Sequence, residues 1–186
     1  MKKILIGAVA ENGLYGYGRG SAGRIPWRSK EDMKFFRETT TPHAIAMGRG
    51  TWDSIPAKFR PFTNRTNYII TNNLSFGLSQ ADRDSGVQVF NSVSSVDAAV
   101  STEKVFWIGS SNIWYNVVHD ADELLINRIG LSPSIAEELQ PVFFHALLDP
   151  TQYFEGFVQA GDPNILVENK DTPEEFTVSC YRYTRK

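Results

Sequence analysis

Asp32 is the residue best placed to do chemistry. It follows Pro26-Trp27 closely, falls in the first turn of an amphipathic helical stretch, and has Phe36 one turn further on the same face. An acid and an aromatic ring so arranged can line one pocket. A carboxylate in largely apolar surroundings can hold two parallel donors, and burial raises its pKa toward the range useful in proton transfer. Taken alone, an aspartate at that position more often just complements the positive end of a helix. Its neighbours therefore have to carry the reading. Two glycine turns offer a second kind of chemistry. Gly48-Arg49-Gly50-Thr51 joins a strand to a helix and presents backbone amides, a hydroxyl and a cation suited to phosphate. Gly109-Ser110-Ser111 opens a later helix in the same manner. A third glycine run, Gly18-Arg19-Gly20-Ser21-Ala22-Gly23, matches the dinucleotide fingerprint as a string. That fingerprint must lead straight into a helix, whereas here Arg24-Ile25-Pro26-Trp27 intervenes. The run reads instead as part of a lid over about residues 11–27, because glycine-rich loops change conformation cheaply.

The elements that must hold these groups are legible from apolar periodicity. Buried, β-branched runs at Ile4–Val9, Ala44–Met47, Tyr68–Thr71, Val87–Phe90, Val105–Ile108 and Leu124–Ile129 predict strands. Ser29-Lys30-Glu31-Asp32 resembles a capping box opening a helix to about Thr39, which Thr41-Pro42 ends. Further helices are expected at Gly50–Ile55, Val93–Val100 and Ser111–Val118. Strand and helix alternate, which predicts an α/β fold whose mostly parallel sheet is covered on both faces. Phe176, Val178 and Cys180 alternate with polar residues and predict a final antiparallel strand at or beside the sheet edge. The segment 133–163 carries no assignment and reads as an insertion. Residues 1–186 are expected to form one domain.

Composition narrows the partners. The chain is 41% hydrophobic and 22% charged with a net charge of -2, which offers no basic face for nucleic acid. The apolar run Ile4–Ala10 is cut off by Glu11 and Asn12 before it could act as a signal or membrane segment, so a cytoplasmic location is expected. One cysteine, Cys180, excludes an intrachain disulfide and reads as an inert strand residue. His43, His119 and His145 lack metal-ligand spacing, and no metal is expected.

In combination the motifs are more specific than any one of them. Pro26-Trp27 with Asp32 and Phe36, then Met47-Gly48-Arg49-Gly50-Thr51-Trp52-Asp53-Ser54-Ile55, resembles the dihydrofolate reductase signature. The resemblance continues through Asn64-Arg65-Thr66-Asn67, Val105-Phe106-Trp107-Ile108-Gly109 and Leu124-Leu125-Ile126-Asn127-Arg128-Ile129, in the family's order. It covers roughly the first two thirds of the chain. It implies the dihydrofolate-reductase-like three-layer fold, with a central mixed, mostly parallel sheet. It also implies reduction of 7,8-dihydrofolate to tetrahydrofolate by hydride from NADPH, and hence a place in one-carbon metabolism, with dihydrofolate and antifolate-type small molecules as binding partners. By that resemblance Asp32 binds the pterin and assists protonation, Trp27 orients a water beside it, and Ile25 gates the pocket from the lid. Ile6, Ala8 and Ile108 touch pterin or nicotinamide, and Met33, Phe36, Ile55 and Asn127 complete the substrate pocket. Arg65 pairs with the carboxylate of the glutamate tail, a bidentate geometry that lysine cannot copy. Gly48, Arg49, Gly50, Thr51, Thr71, Asn72, Gly109, Ser110, Ser111 and Trp114 receive the cofactor, with Arg49 selecting NADPH over NADH. A monomer is expected.

Three active-site positions depart from the family pattern. The usual paired glycines, joined by a cis peptide, are Gly109-Ser110; the tyrosine beside the nicotinamide is Trp114, with Tyr115 following; and the pocket threonine is Asn127. Two other readings stay open. One is the riboflavin-pathway pyrimidine reductase of the same fold, which lacks the Trp27–Asp32 arrangement. The other is a folate- or nucleotide-binding structural protein without turnover.

Overall fold

The computed structural model describes residues 1–18, 25–73, 75–168 and 176–186. Residues 19–24, the heart of the expected lid, lie outside them. Eleven strands are present among the described residues: β1 (Lys2–Ala10), β2 (Leu14–Tyr17), β3 (Ala44–Gly48), β4 (Thr66–Ile70), β5 (Gln88–Phe90), β6 (Lys104–Ile108), β7 (Glu123–Ile129), β8 (Pro141–Phe143), β9 (Phe157–Gln159), β10 (Asn164–Glu168) and β11 (Thr177–Arg185). Helices α1 (Lys30–Thr40), α2 (Arg49–Ser54), α3 (Gln80–Asp84), α4 (Val93–Ala99), α5 (Ser111–Val117) and α6 (Pro150–Tyr153) connect them.

The main sheet runs β10-β11-β7-β1-β6-β3-β4-β5, with β9 also paired to β11. From β7 to β5 every pairing is parallel, and β11 enters antiparallel against β7. Side chains alternate across this sheet into two separate cores, as the two-residue period of a strand requires. One face sends Leu5, Ala44, Ala46, Val105, Trp107, Leu124 and Ile126 against Val96 of α4 and Ile113, Trp114 and Val117 of α5. The other sends Ile4, Ile6, Ile45, Met47, Ile69, Phe106, Ile108 and Leu125 against Phe35 and Phe36 of α1 and Trp52 of α2. The result is the expected three-layer arrangement. Its register is firmly specified, because a slip of one residue would exchange the two cores.

Predicted strands and helices in the first two thirds of the chain fall within a residue or two of the observed ones, the usual spread of helix ends. Thr41 ends α1 as expected, its N–H bonding the Arg37 carbonyl. The last third holds elements that apolar periodicity does not announce. Pro141–Phe143 forms a small separate sheet with Leu14–Tyr17, tying the segment 133–163 to the base of the lid. Phe157–Gln159 in the same segment, and Asn164–Glu168 just after it, line the outer edge of β11. Three-residue strands are too short to display a two-residue period.

Candidate active site

Asp32 is held where α1 begins. Ser29, extended at φ -136°, caps the helix by accepting the Asp32 N–H at 3.0 Å, the geometry its serine predicted. The helix thus delivers the Asp32 side chain toward β7, where the Asn127 Nδ2 donates to Asp32 Oδ1 at 2.7 Å. Asp32 is 8% exposed. Burial raises its pKa above the ordinary carboxylate value, and the Asn127 hydrogen bond opposes that rise. The Trp27 indole adds a smaller opposing pull, although among the described residues its buried N–H is not aligned as a hydrogen bond to an acceptor. Asn127 Oδ1 is likewise buried without a donor among the described residues, so the carboxamide presents a spare acceptor beside the acid. Replacing Asn127 with leucine removes the opposing hydrogen bond and moves the Asp32 pKa further up. Where catalysis needs Asp32 protonated, the falling alkaline limb of the pH–rate profile shifts to higher pH. A profile of kcat/KM against pH for Asn127→Leu checks this, and a shift toward acid contradicts it.

The remaining substrate-side candidates lie on α1, on the central strands and in the loops beside them. Ile6, Ile108, Phe36 and Ile55 belong to or pack against one apolar cluster. Ala8 pairs in register with Asn127 across β1 and β7, and packs with Trp27, Leu14 and Ile129. Arg65 stands further out along α1. Its Nη1 donates to Thr40 Oγ1 at 2.8 Å, its Nε to the Thr63 carbonyl at 3.2 Å, and its guanidinium lies over the Phe62 ring at 4.6 Å. An open cavity of about 330 Å³ borders it, lined also by Arg37, Glu38, Thr41, Thr63 and Asn64. Ile25 and Met33 are each 52% exposed, so neither is enclosed in the apolar cluster.

The cofactor-side candidates gather at the carboxyl ends of three neighbouring parallel strands, β6, β3 and β4, where ligands of open α/β sheets bind. Gly48 and Ser110 precede α2 and α5, and neither turn has a side-chain cap on its first amides. Gly109 adopts φ +107°, and a Cβ there would collide with the Thr51 hydroxyl, so the two glycine turns meet face to face. Arg49 is loosely engaged, its Nε 4.0 Å from Asp53 Oδ2. Asn72 is exposed just past β4, and Thr71 Oγ1 accepts the Asn73 N–H at 3.1 Å. Cation, hydroxyls, uncapped amides and a glycine cradle fit a phosphate-bearing dinucleotide. The described cis peptides are Thr41-Pro42 and Arg60-Pro61; Gly109-Ser110 is not among them. Trp114 is fully buried, with its indole 3.0 Å from where a Cβ on Gly7 would stand.

The family model described as dihydrofolate reductase matches residues 3–146. The chain belongs to the dihydrofolate reductase family. A dihydrofolate reductase of Mycobacterium tuberculosis (strain ATCC 25618 / H37Rv) is 36% identical over 140 residues, covering 74% of this chain and 79% of that protein. The dihydrofolate reductase of Candida albicans is 27% identical over 178 residues, covering 91% of each. A solved dihydrofolate reductase from Enterococcus faecalis, complexed with NADP(H) and RAB-propyl, superposes with a TM-score of 0.76 over 100% of this chain and 96% of that one, at 22% identity. It shares the fold.

Within this family setting, three residues that sequence reasoning passed over support the site. Asn67, 3% exposed, takes the Phe62 N–H on Oδ1 and donates Nδ2 to the Phe62 and Arg65 carbonyls, shaping the loop that presents Arg65. Thr40, fully buried, receives Arg65 and donates to the Phe36 carbonyl at 2.8 Å. Tyr15 donates its hydroxyl to the Gly109 carbonyl. The polar residue inside Asn64-Arg65-Thr66-Asn67 could have pointed to Asn67; nothing local pointed to the other two. Cys180 borders the site electrostatically, its thiol pushed up to about 12 by burial and by the charges of Asp32 and Glu123, which keeps it protonated and unreactive. Among the described residues, no group of His, Cys, Asp and Glu could hold a metal ion, and no helix is long and apolar enough to cross a membrane.

Proposed function

We propose that this chain reduces 7,8-dihydrofolate to 5,6,7,8-tetrahydrofolate with NADPH, and that Asp32 assists the protonation. The observation that carries the assignment of roles is the buried Asp32 carboxylate, set by Ser29 and Asn127 on the α1 side of the sheet, with the uncapped glycine turns at the carboxyl ends of the adjacent strands. NADPH, when bound, supplies the hydride. Asp32 holds the pterin's ring N–H and amino group through its two oxygens, and burial, which raises its pKa above the ordinary carboxylate value, favours its part in proton transfer. Trp27 orders water beside the carboxylate, and Ile25 and Met33 close the pocket mouth against bulk solvent. Phe36 and Ile55 clamp the aminobenzoyl ring, while Arg65, with Arg37 nearby in the lined cavity, receives the glutamate tail. On the cofactor side, Gly48, Gly50, Thr51, Gly109, Ser110 and Ser111 offer amides and hydroxyls to the pyrophosphate, and Arg49, Thr71 and Asn72 meet the adenosine phosphate. The protein works as a cytoplasmic monomer on small molecules, antifolates included.

Absorbance-monitored NADPH oxidation, with and without dihydrofolate, tests the proposal. Oxidation that depends on dihydrofolate supports it; binding of both ligands without oxidation moves the non-catalytic folate-binding reading ahead. The cofactor assignment has its own check. Arg49→Ala is expected to weaken NADPH binding about 10-fold or more and NADH binding little, as loss of a charge-assisted phosphate contact would. Equal weakening of both cofactors, measured as Kd, assigns Arg49 to the fold instead.

A further inference from the structure

Four groups from four elements meet beneath the glycine turn that follows β6. They are Gly7 of β1, Tyr15 of β2, Gly109 itself and Trp114 of α5. A Cβ added to Gly7 would stand 3.0 Å from the Trp114 ring and 3.5 Å from the Tyr15 hydroxyl, so the glycine lets the indole pack closely against β1 beside the phenol. The Tyr15 ring is braced edge-on against Phe144 at 5.4 Å, and Trp114 stands edge-on to the same Phe144 at 5.9 Å. Braced in this way, the phenol donates its proton to the Gly109 carbonyl. Gly109 is the residue whose φ of +107° sets it flush against Thr51, so its carbonyl direction governs how the two phosphate-receiving turns face each other. Burial pushes the Tyr15 hydroxyl well above the ordinary phenol range, keeping it a donor at every working pH.

We infer that Tyr15 is a positioning residue for the cofactor: its hydroxyl fixes the Gly109 carbonyl, and with it the turn that receives NADPH. The inference rests on the NADPH-dependent reading above. It adds a residue outside the substrate and cofactor motifs of the sequence, contributed by the short strand at the base of the lid. It also gives a use to the pairing of β2 with β8, since Leu14 and Gly16, on either side of Tyr15, pair with Phe143 and Val142 and hold the strand in place.

Tyr15→Phe removes the hydroxyl and keeps the ring against Phe144. The Kd of NADPH, followed by quenching of tryptophan fluorescence, is expected to rise about 2- to 13-fold, the loss of one hydrogen bond. The Kd and KM of dihydrofolate and the melting temperature of the free protein are expected to stay close to the wild-type values. Phe144→Leu, which loosens the brace but keeps the hydroxyl, is expected to lower the melting temperature without that selectivity for NADPH. Unchanged NADPH affinity in Tyr15→Phe overturns the inference, as does parallel loss of both ligands with a fall in melting temperature. Wild-type protein is the reference: if it binds no NADPH at all, the functional reading fails and the inference with it.

Discussion

Asp32→Asn is expected to lower kcat for dihydrofolate reduction by about 10²- to 10⁴-fold near neutral pH, the usual yield of a positioned acid–base group, while leaving NADPH affinity close to wild type. The amide keeps the size of the carboxyl group and can still accept from Asn127, and the backbone N–H of residue 32 keeps its bond to Ser29, but the amide cannot pass a proton. The same substitution is expected to stabilise the fold at neutral pH. Burial raises the Asp32 pKa in the folded protein, so the folded state holds more protons than the unfolded one between the two pKa values. Stability therefore falls as pH rises through that window, and ionised Asp32 is a cost at pH 7 that the neutral amide removes. Steady-state kinetics and melting curves at pH 5 and 7 check both halves. Undiminished turnover takes Asp32 out of the mechanism, and a lower melting temperature at pH 7 contradicts the burial argument.

Gly109→Ala is expected to damage the cofactor side more than any other single methyl group. Alanine at φ +107° carries backbone strain of about 1–3 kcal/mol, and its Cβ meets the Thr51 hydroxyl. For a chain of this size the strain corresponds to a fall in melting temperature of roughly 2–12 °C. NADPH affinity should fall with it, because Gly109 and Thr51 both belong to the receiving turns. Thr51→Gly in the same chain should restore the part due to collision and leave the part due to φ. A Gly109→Ala protein that melts and binds NADPH as wild type does would mean that this turn has room the structure denies it.

Most of the central sheet was legible because its strands are buried on both faces and read as continuous apolar runs. Asp32 was legible for a different reason: the serine cap three residues before it fixes the helix start, and the helix start fixes which face the acid takes. Arg49 and Gly109 were found as turns between strand and helix. Tyr15 was not found, because its role depends on a hydrogen bond to a carbonyl 94 residues away. The Arg65 support was missed on similar grounds, since Thr40 reads from sequence as a polar helix end and its burial follows from the packing of α1 against the Arg65 loop. The pairing of Pro141–Phe143 with Leu14–Tyr17 was hidden by brevity and by a register shift between Leu14 and Gly16, which breaks the alternation that would have announced it.

The place of β1 in the sheet has a consequence for how the chain is made. β1 leaves the ribosome before β6 and β7 yet lies between them, and its partners in register are Lys104–Trp107 and Glu123–Ile129. For most of synthesis, then, the apolar stretch at the amino end has no neighbour to pair with, and parallel pairing across such a separation is slow to form. Nascent chains stopped before residue 104 leave both edges of that stretch open, the condition under which strands join other chains instead of their own. Fragments released from the ribosome and ending near residues 100 and 135 would differ sharply in protease resistance, with β1 protected only in the longer one.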